Sequence, residues 1–326
     1  MPPLFDLPLA ELEHHRTTAQ EPPGLDAFWA EAIAAADAAA RAPVVTEHRP
    51  DAYGALEVND VTFSGADGHP IRAWYLRPRG AGDEPLACRV TFIGYGGGRD
   101  HAAAHALYPA CGYAAFVMDT RGQGGNWSAG ATPDAGAGSS GPEYPGVMTR
   151  GLADPRTYYY RRLYVDAVRA VETAASLPGV DAGRLAVAGI SQGGGLALAA
   201  AALAPDRVAL CHADVPFLCD IERAIDLAPD APYTELVAYL AIHPELEAQA
   251  RRTLRHVDNA ILATRIRART LVSVGLRDTI CPPSTVFAAY NAIAAPKEIA
   301  VYPFSQHAVT TAHLERQLAA FRAAFD

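Results

Sequence analysis

Gly189-Ile190-Ser191-Gln192-Gly193-Gly194 stands between two segments of opposite character. Before it, Arg184-Leu185-Ala186-Val187-Ala188 is a short apolar run that reads as a buried strand; after it, residues 196–203 are alanine- and leucine-rich and read as a helix. Gly-x-Ser-x-Gly between a strand and a helix is the nucleophile-elbow arrangement. Its turn is so sharp that the serine backbone is strained and the flanking positions have no room for side chains. Ser191 is therefore expected at the tip of a sheet, hydroxyl exposed, beside the free amides of a helix N-terminus. A glycine-rich turn alone would be the plain alternative; the flanking strand and helix favour the nucleophile.

Working outward, eight strand-like segments are predicted, at residues 57–63, 71–76, 90–94, 114–118, 184–188, 208–211, 270–274 and 298–302. The first two flank Gly65-Ala66-Asp67-Gly68 and read as an antiparallel hairpin. From the third onward, helical sequence separates the strands, which implies right-handed crossovers and a mostly parallel sheet with helices on both faces. A proline- and charge-rich arm leads to Asp26 as N-cap of a helix reaching about Arg41, so residues 1–42 form an arm and helix. A Gly/Pro/Ser-rich insertion spans 121–155, and one of charged and apolar residues at helical spacing spans 216–267, placed as a helical lid. No repeat or linker divides the chain, so 1–326 is expected to be a single domain.

In an α/β-hydrolase the nucleophile follows strand five, the acid strand seven and the histidine strand eight. Strand seven here is followed by Gly275-Leu276-Arg277-Asp278 and strand eight by Pro303-Phe304-Ser305-Gln306-His307. Serine is a weak nucleophile at its own pKa, so His307 is expected to take the Ser191 proton and return it to the leaving alcohol. Asp278 would fix the imidazole tautomer and stabilise its cation. Two backbone N–H groups are needed for the oxyanion. Gln192, after the nucleophile, supplies one; Tyr95, in the Gly94-Tyr95-Gly96-Gly97-Gly98-Arg99 loop, supplies the other, its ring narrowing the acyl pocket.

Rival readings are weaker. Gly-x-Gly-x-x-Gly fails because Arg99 stands at the third glycine position, so no dinucleotide or other cofactor is expected. His101 and His105 lie one helical turn apart, as metal ligands can be, but lack the internal glutamate of a zinc protease and are a weak candidate. His14 and His15 read as solvated arm residues; His313 is a competing base better suited to a helix interior. Asp214, after strand six, is an alternative acid, and Arg121 reads as a loop tie.

The formal net charge of -9 disfavours nucleic acid and anionic lipid as partners, and no stretch approaches the length of a membrane span. Five cysteines, an odd number without close pairing, and an amino terminus without a basic start and apolar core suggest reduced thiols in a cytoplasmic protein. None of the five has a histidine partner at a convincing place.

Several long runs also match a family. They are Leu4-Phe5-Asp6-Leu7-Pro8-Leu9, Ile93-Gly94-Tyr95, Asp119-Thr120-Arg121-Gly122-Gln123-Gly124, Asp154-Pro155-Arg156-Thr157-Tyr158-Tyr159-Tyr160-Arg161-Arg162, Asp214-Val215-Pro216-Phe217-Leu218-Cys219 and Ile280-Cys281-Pro282-Pro283-Ser284-Thr285. Nearly end to end, the chain resembles the acetyl xylan esterases and cephalosporin C deacetylases of carbohydrate esterase family seven. The resemblance implies an intracellular serine esterase that removes acetyl groups from short xylo-oligosaccharides and cephalosporins, needs no metal, and assembles as a homo-hexamer. The family's serine, aspartate, histidine and two oxyanion donors fall on Ser191, Asp278, His307, Tyr95 and Gln192. One departure stands out: where the family has His-Glu and then glycines, this chain reads His307-Ala308-Val309-Thr310-Thr311. That change leaves room for an altered ester preference. A related hydrolase or acetyltransferase, or an inactive sugar-binding relative, are the alternatives.

Overall fold

The computed structural model describes residues 5–49, 51–82, 84–134 and 146–326. Leu4 of the matched arm, and 135–145 of the first insertion, lie outside the described residues. Among the described residues nine strands form one sheet, in the order β1-β2-β3-β5-β4-β6-β7-β8-β9. They are β1 Val44–Glu47, β2 Leu56–Ser64, β3 Pro70–Pro78, β4 Leu86–Phe92, β5 Ala114–Met118, β6 Val180–Ile190, β7 Leu210–Asp214, β8 Arg269–Gly275 and β9 Lys297–Tyr302. The β2/β3 hairpin is antiparallel, β3 pairs antiparallel with β5, and every pairing from β4 to β9 is parallel.

The extra strand corrects the expected count of eight. β1 is exposed at every position, so Val44-Val45-Thr46-Glu47 shows no alternation and gave no signal; it forms by antiparallel pairing with β2. The expected strands five, seven and eight are accordingly β6, β8 and β9. The early helix also differs. It spans Leu25–Ala38, and Gly24 at φ 75° takes the N-cap position expected of Asp26. Asp26 lies in the first turn and pairs with Arg265 at 2.6 Å.

Strand periodicity sends alternate side chains to the two faces. Phe116 and Met118 of β5 and Leu185 and Val187 of β6 join the core beneath helices Tyr159–Ser176 and Gln192–Leu203. Ala115, Val117 and Ala186 face the other way, into a smaller core with Tyr108 and with Phe321 of helix Thr311–Phe325. The 216–267 segment is helical, with helices Ile221–Leu227, Tyr233–Ile242, Glu247–Arg255 and Asn259–Leu262. Among the described residues no helix is long and apolar enough to cross a membrane. All five cysteines are free, and only Cys111 is exposed.

Arg121 is wholly buried. Its Nε donates to Asp166 Oδ2 at 2.5 Å and its Nη2 to Asp166 Oδ1 at 2.7 Å, so it ties the first insertion to helix Tyr159–Ser176. On β7, His212 is buried and has no hydrogen-bond partner at either ring nitrogen among the described residues. Burial first, and the Arg89 charge second, push its pKa down to about 3 from 6.5. Between those values the unfolded chain binds a proton that the folded chain does not, so stability falls as pH falls through that window. This single group contributes a slope of up to about 1.4 kcal/mol per pH unit. His212→Leu is expected to flatten urea-unfolding stability between pH 6 and pH 4 relative to wild type; parallel curves for the two proteins would contradict the assignment.

Candidate active site

β6 ends at Ile190, and the chain turns at Ser191 into helix Gln192–Leu203 with φ 60° and ψ −120° at the serine. A residue held so far from the allowed regions costs about 1–3 kcal/mol. Three backbone hydrogen bonds hold it: Ser191 N–H donates to Asp214 O, while Gly195 and Phe217 N–H donate to Ser191 O, each at 2.9 Å. The turn also brings backbones together where no side chain fits. A Cβ on Gly189 would lie 2.3 Å from the Gly193 carbonyl carbon, and one on Gly193 would lie 2.3 Å from Phe92 O.

The loops after β8 and β9 carry Asp278 and His307, and His307 Nδ1 lies 2.7 Å from Asp278 Oδ2. The second Asp278 oxygen accepts the N–H groups of Ile280 and Cys281, each at 2.9 Å. Three polar contacts thus fix a fully buried carboxylate, two from backbone amides and one from the imidazole. Ser191, His307 and Tyr95 all line one cavity of about 510 Å³. Ala231, Pro232 and Glu235 complete its wall from the 216–267 segment.

The Tyr95 N–H makes no hydrogen bond among the described residues. Gln192 opens its helix, where an N–H has no intrahelical acceptor. The supports behind these two amides were not legible beforehand. Gln123 Oε1 accepts from Gly96 N–H at 2.6 Å, and its Nε2 donates to Tyr159 Oη and Gln192 Oε1, each at 2.9 Å. Gln192 Nε2 in turn donates to Ile93 O at 3.1 Å, and Tyr160 Oη donates to Gln192 Oε1 at 3.1 Å. The Tyr95 hydroxyl donates to Glu235 Oε1 at 2.7 Å and accepts from Gly146 and Val147 N–H. Burial, then the Glu235 charge, raises its pKa far enough to keep the phenol protonated.

The competing residues are placed elsewhere. Asp214 accepts from Ser273 Oγ at 2.8 Å and Gln317 Nε2 at 2.7 Å, and it lies 2.8 Å from His313 Nε2. It does not pair with His307. His313 is buried in helix Thr311–Phe325, its other nitrogen 2.8 Å from Tyr302 Oη. His105 meets the Arg99 carbonyl at 2.7 Å, while His14 is exposed. His15 is a correction: it is half-buried, 3.3 Å from Asp220. Among the described residues, one trio could offer three metal-ligating atoms, Asp278, Cys281 and His307, all within 4.8 Å of one another. Its chemistry suits hydrogen bonding better: Asp278 is already committed, and burial holds the Cys281 thiol well above its ordinary pKa and so protonated. Gln123→Leu would strand the Gly96 N–H and Tyr159 and Gln192 polar atoms in the interior. It is expected to lower unfolding stability by about 1–3 kcal/mol in a urea titration; a loss near zero would contradict the network.

The acetyl xylan esterase (AXE1) family model matches residues 1–325. The structure of an acetyl xylan esterase from Paenibacillus sp. R4 is similar at a TM-score of 0.91 and 37% identity, covering 98% of this chain and all of that one. Acetyl xylan esterase 1 from Thermoanaerobacterium sp. JW/SL YS485 superposes at a TM-score of 0.88 with 33% identity over 99% of this chain and all of that one. Acetyl esterase Axe7A of Xylanibacter ruminicola is 34% identical over 167 residues, which are 51% of this chain and 37% of that protein's length. The chain, an α/β-hydrolase fold throughout its sheet, belongs to the acetyl xylan esterase family.

Proposed function

We propose that this protein is a serine carboxylesterase that removes acetyl groups from short acetylated xylo-oligosaccharides and from small acetyl esters of the cephalosporin C type. The observation that carries the reading is the meeting of the strained Ser191 with the Asp278-oriented His307 in one cavity. Family membership supports the acetyl preference.

In this reading Ser191 Oγ attacks the ester carbonyl carbon while His307 Nε2 takes the hydroxyl proton. The Tyr95 and Gln192 N–H groups receive the oxyanion, preorganised by the Gln123 network so that they need not reorient as charge develops. The carbon–oxygen bond to the alcohol breaks, His307 returns the proton to the departing oxygen, and an acetyl-serine remains. Water then attacks the acetyl carbon, its proton passes to His307, and acetate leaves as Ser191 is restored. Asp278 holds the Nδ1 proton throughout and stabilises the imidazolium. Tyr95 and Pro232 both line the cavity, and in this reading they bound the acyl side and favour acetyl over longer chains.

The hexamer implied by the family resemblance belongs to the same reading. Sedimentation equilibrium should give a mass six times that of the chain, and a monomer would remove this part of the proposal. Ser191→Ala is expected to abolish release of acetate from acetylated xylobiose while circular dichroism stays unchanged. Wild type should cleave acetyl esters at least tenfold faster than octanoyl esters. Retained activity in the variant, or the reverse chain-length order, would overturn the reading.

A further inference from the structure

Trp127 is 61% exposed, whereas the chain's other two tryptophans, Trp29 and Trp74, are only 2% and 5% exposed. It lines the Ser191 cavity. Leaving so large an apolar ring in water is unfavourable unless something is to cover it. The ring is also not free to turn. Its Nε1–H donates to the Tyr95 carbonyl at 2.8 Å. The adjoining edge presses on the glycine loop, where a Cβ on Gly97 would lie 2.5 Å from Trp127 Cζ2 and 2.7 Å from Cε2. The indole is therefore anchored along one edge, its one polar group already used.

Whatever covers this ring must meet it as a flat apolar surface. The residues that line the cavity differ in how free they are. The Tyr95 hydroxyl is closed off by Glu235 and the Gly146 and Val147 amides. Trp127 is open to solvent, as is its neighbour Asn126, whose neutral amide can both donate to and accept from hydroxyls. A pyranose has the matching duality, one face of C–H groups and a rim of hydroxyls. The small acetyl group needs no exposed surface, whereas the bulky alcohol half must reach solvent-open groups such as these.

We propose that Trp127, with Asn126 beside it, is the binding platform for the sugar ring on the alcohol side of the scissile ester, the ring lying face-on against the indole. This rests on the esterase reading above. It makes Trp127 a determinant of alcohol preference, in contact with substrate but outside the proton-transfer steps.

The test compares acetylated xylobiose with methyl acetate, whose alcohol has no ring to stack; an aromatic leaving group is avoided because it would itself stack. Trp127→Ala is expected to cut kcat/KM for acetylated xylobiose at least tenfold, mostly through KM, with less than a threefold change for methyl acetate. Trp127→Phe, which keeps a flat ring but loses the N–H, should retain most of the sugar preference. An equal loss on both substrates would overturn the proposal, because it would mark Trp127 as a support of the Tyr95 peptide only; so would no loss on either. An independent readout uses Ser191→Ala protein, in which acetylated xylobiose should quench the solvent-exposed tryptophan emission and shield it from iodide. Adding Trp127→Phe should remove that signal, and a signal that persists would overturn the platform. Activity surviving in Ser191→Ala would instead sink the esterase mechanism, so the two failures are distinguishable.

Discussion

A serine backbone at φ 60° and ψ −120° does not persist unless its surroundings over-determine it. Here they do so from three directions. β7 supplies the Asp214 carbonyl, the chain after β7 supplies the Phe217 N–H, and the elbow helix supplies the Gly195 N–H. The parallel pairing of β6 between β4 and β7 sets these distances, and the missing side chains at Gly189 and Gly193 let β4 and the helix close on the turn. The sheet can be understood as the frame that holds one unfavourable residue in place.

Around the elbow, buried polar groups do for the neighbouring loops what strand pairing does for the strands. Gln123 and Gln192 link the 94–98 loop, the turn after β5 and the start of helix Tyr159–Ser176 through side-chain amides. Each member is satisfied by another member, so displacing one loop would leave several buried groups without partners. Tyr95 and Glu235 extend the linkage to helix Tyr233–Ile242. The cavity wall, the glycine loop and the elbow are in this way one hydrogen-bonded unit rather than three adjoining loops.

Sequence made legible what obeys local rules. Glycine spacing around Ser191, a strand before it and a helix after it located the elbow, and strand order located Asp278 and His307, which the structure pairs at 2.7 Å. What escaped was decided by distant partners. Val44-Val45-Thr46-Glu47 is a strand only because β2 is beside it. His15 read as solvated because Asp220 is 205 residues away. Gln123 carries no local signal of its 69-residue reach to Gln192. Beyond the departure at Ala308, Thr310 caps the last helix by accepting the His313 N–H.

The mechanism requires Ser191 to become acetylated during turnover. Rapid acid quench of enzyme mixed with an activated acetyl ester, followed by proteolysis and mass spectrometry of the peptide containing Ser191, tests it directly. The expected result is a transient gain of one acetyl group on Ser191, absent from Ser191→Ala protein and formed far more slowly in a His307→Ala variant, which lacks the base for acylation as well as deacylation. Turnover with Ser191 never modified, or with the acetyl group on another residue, would contradict it.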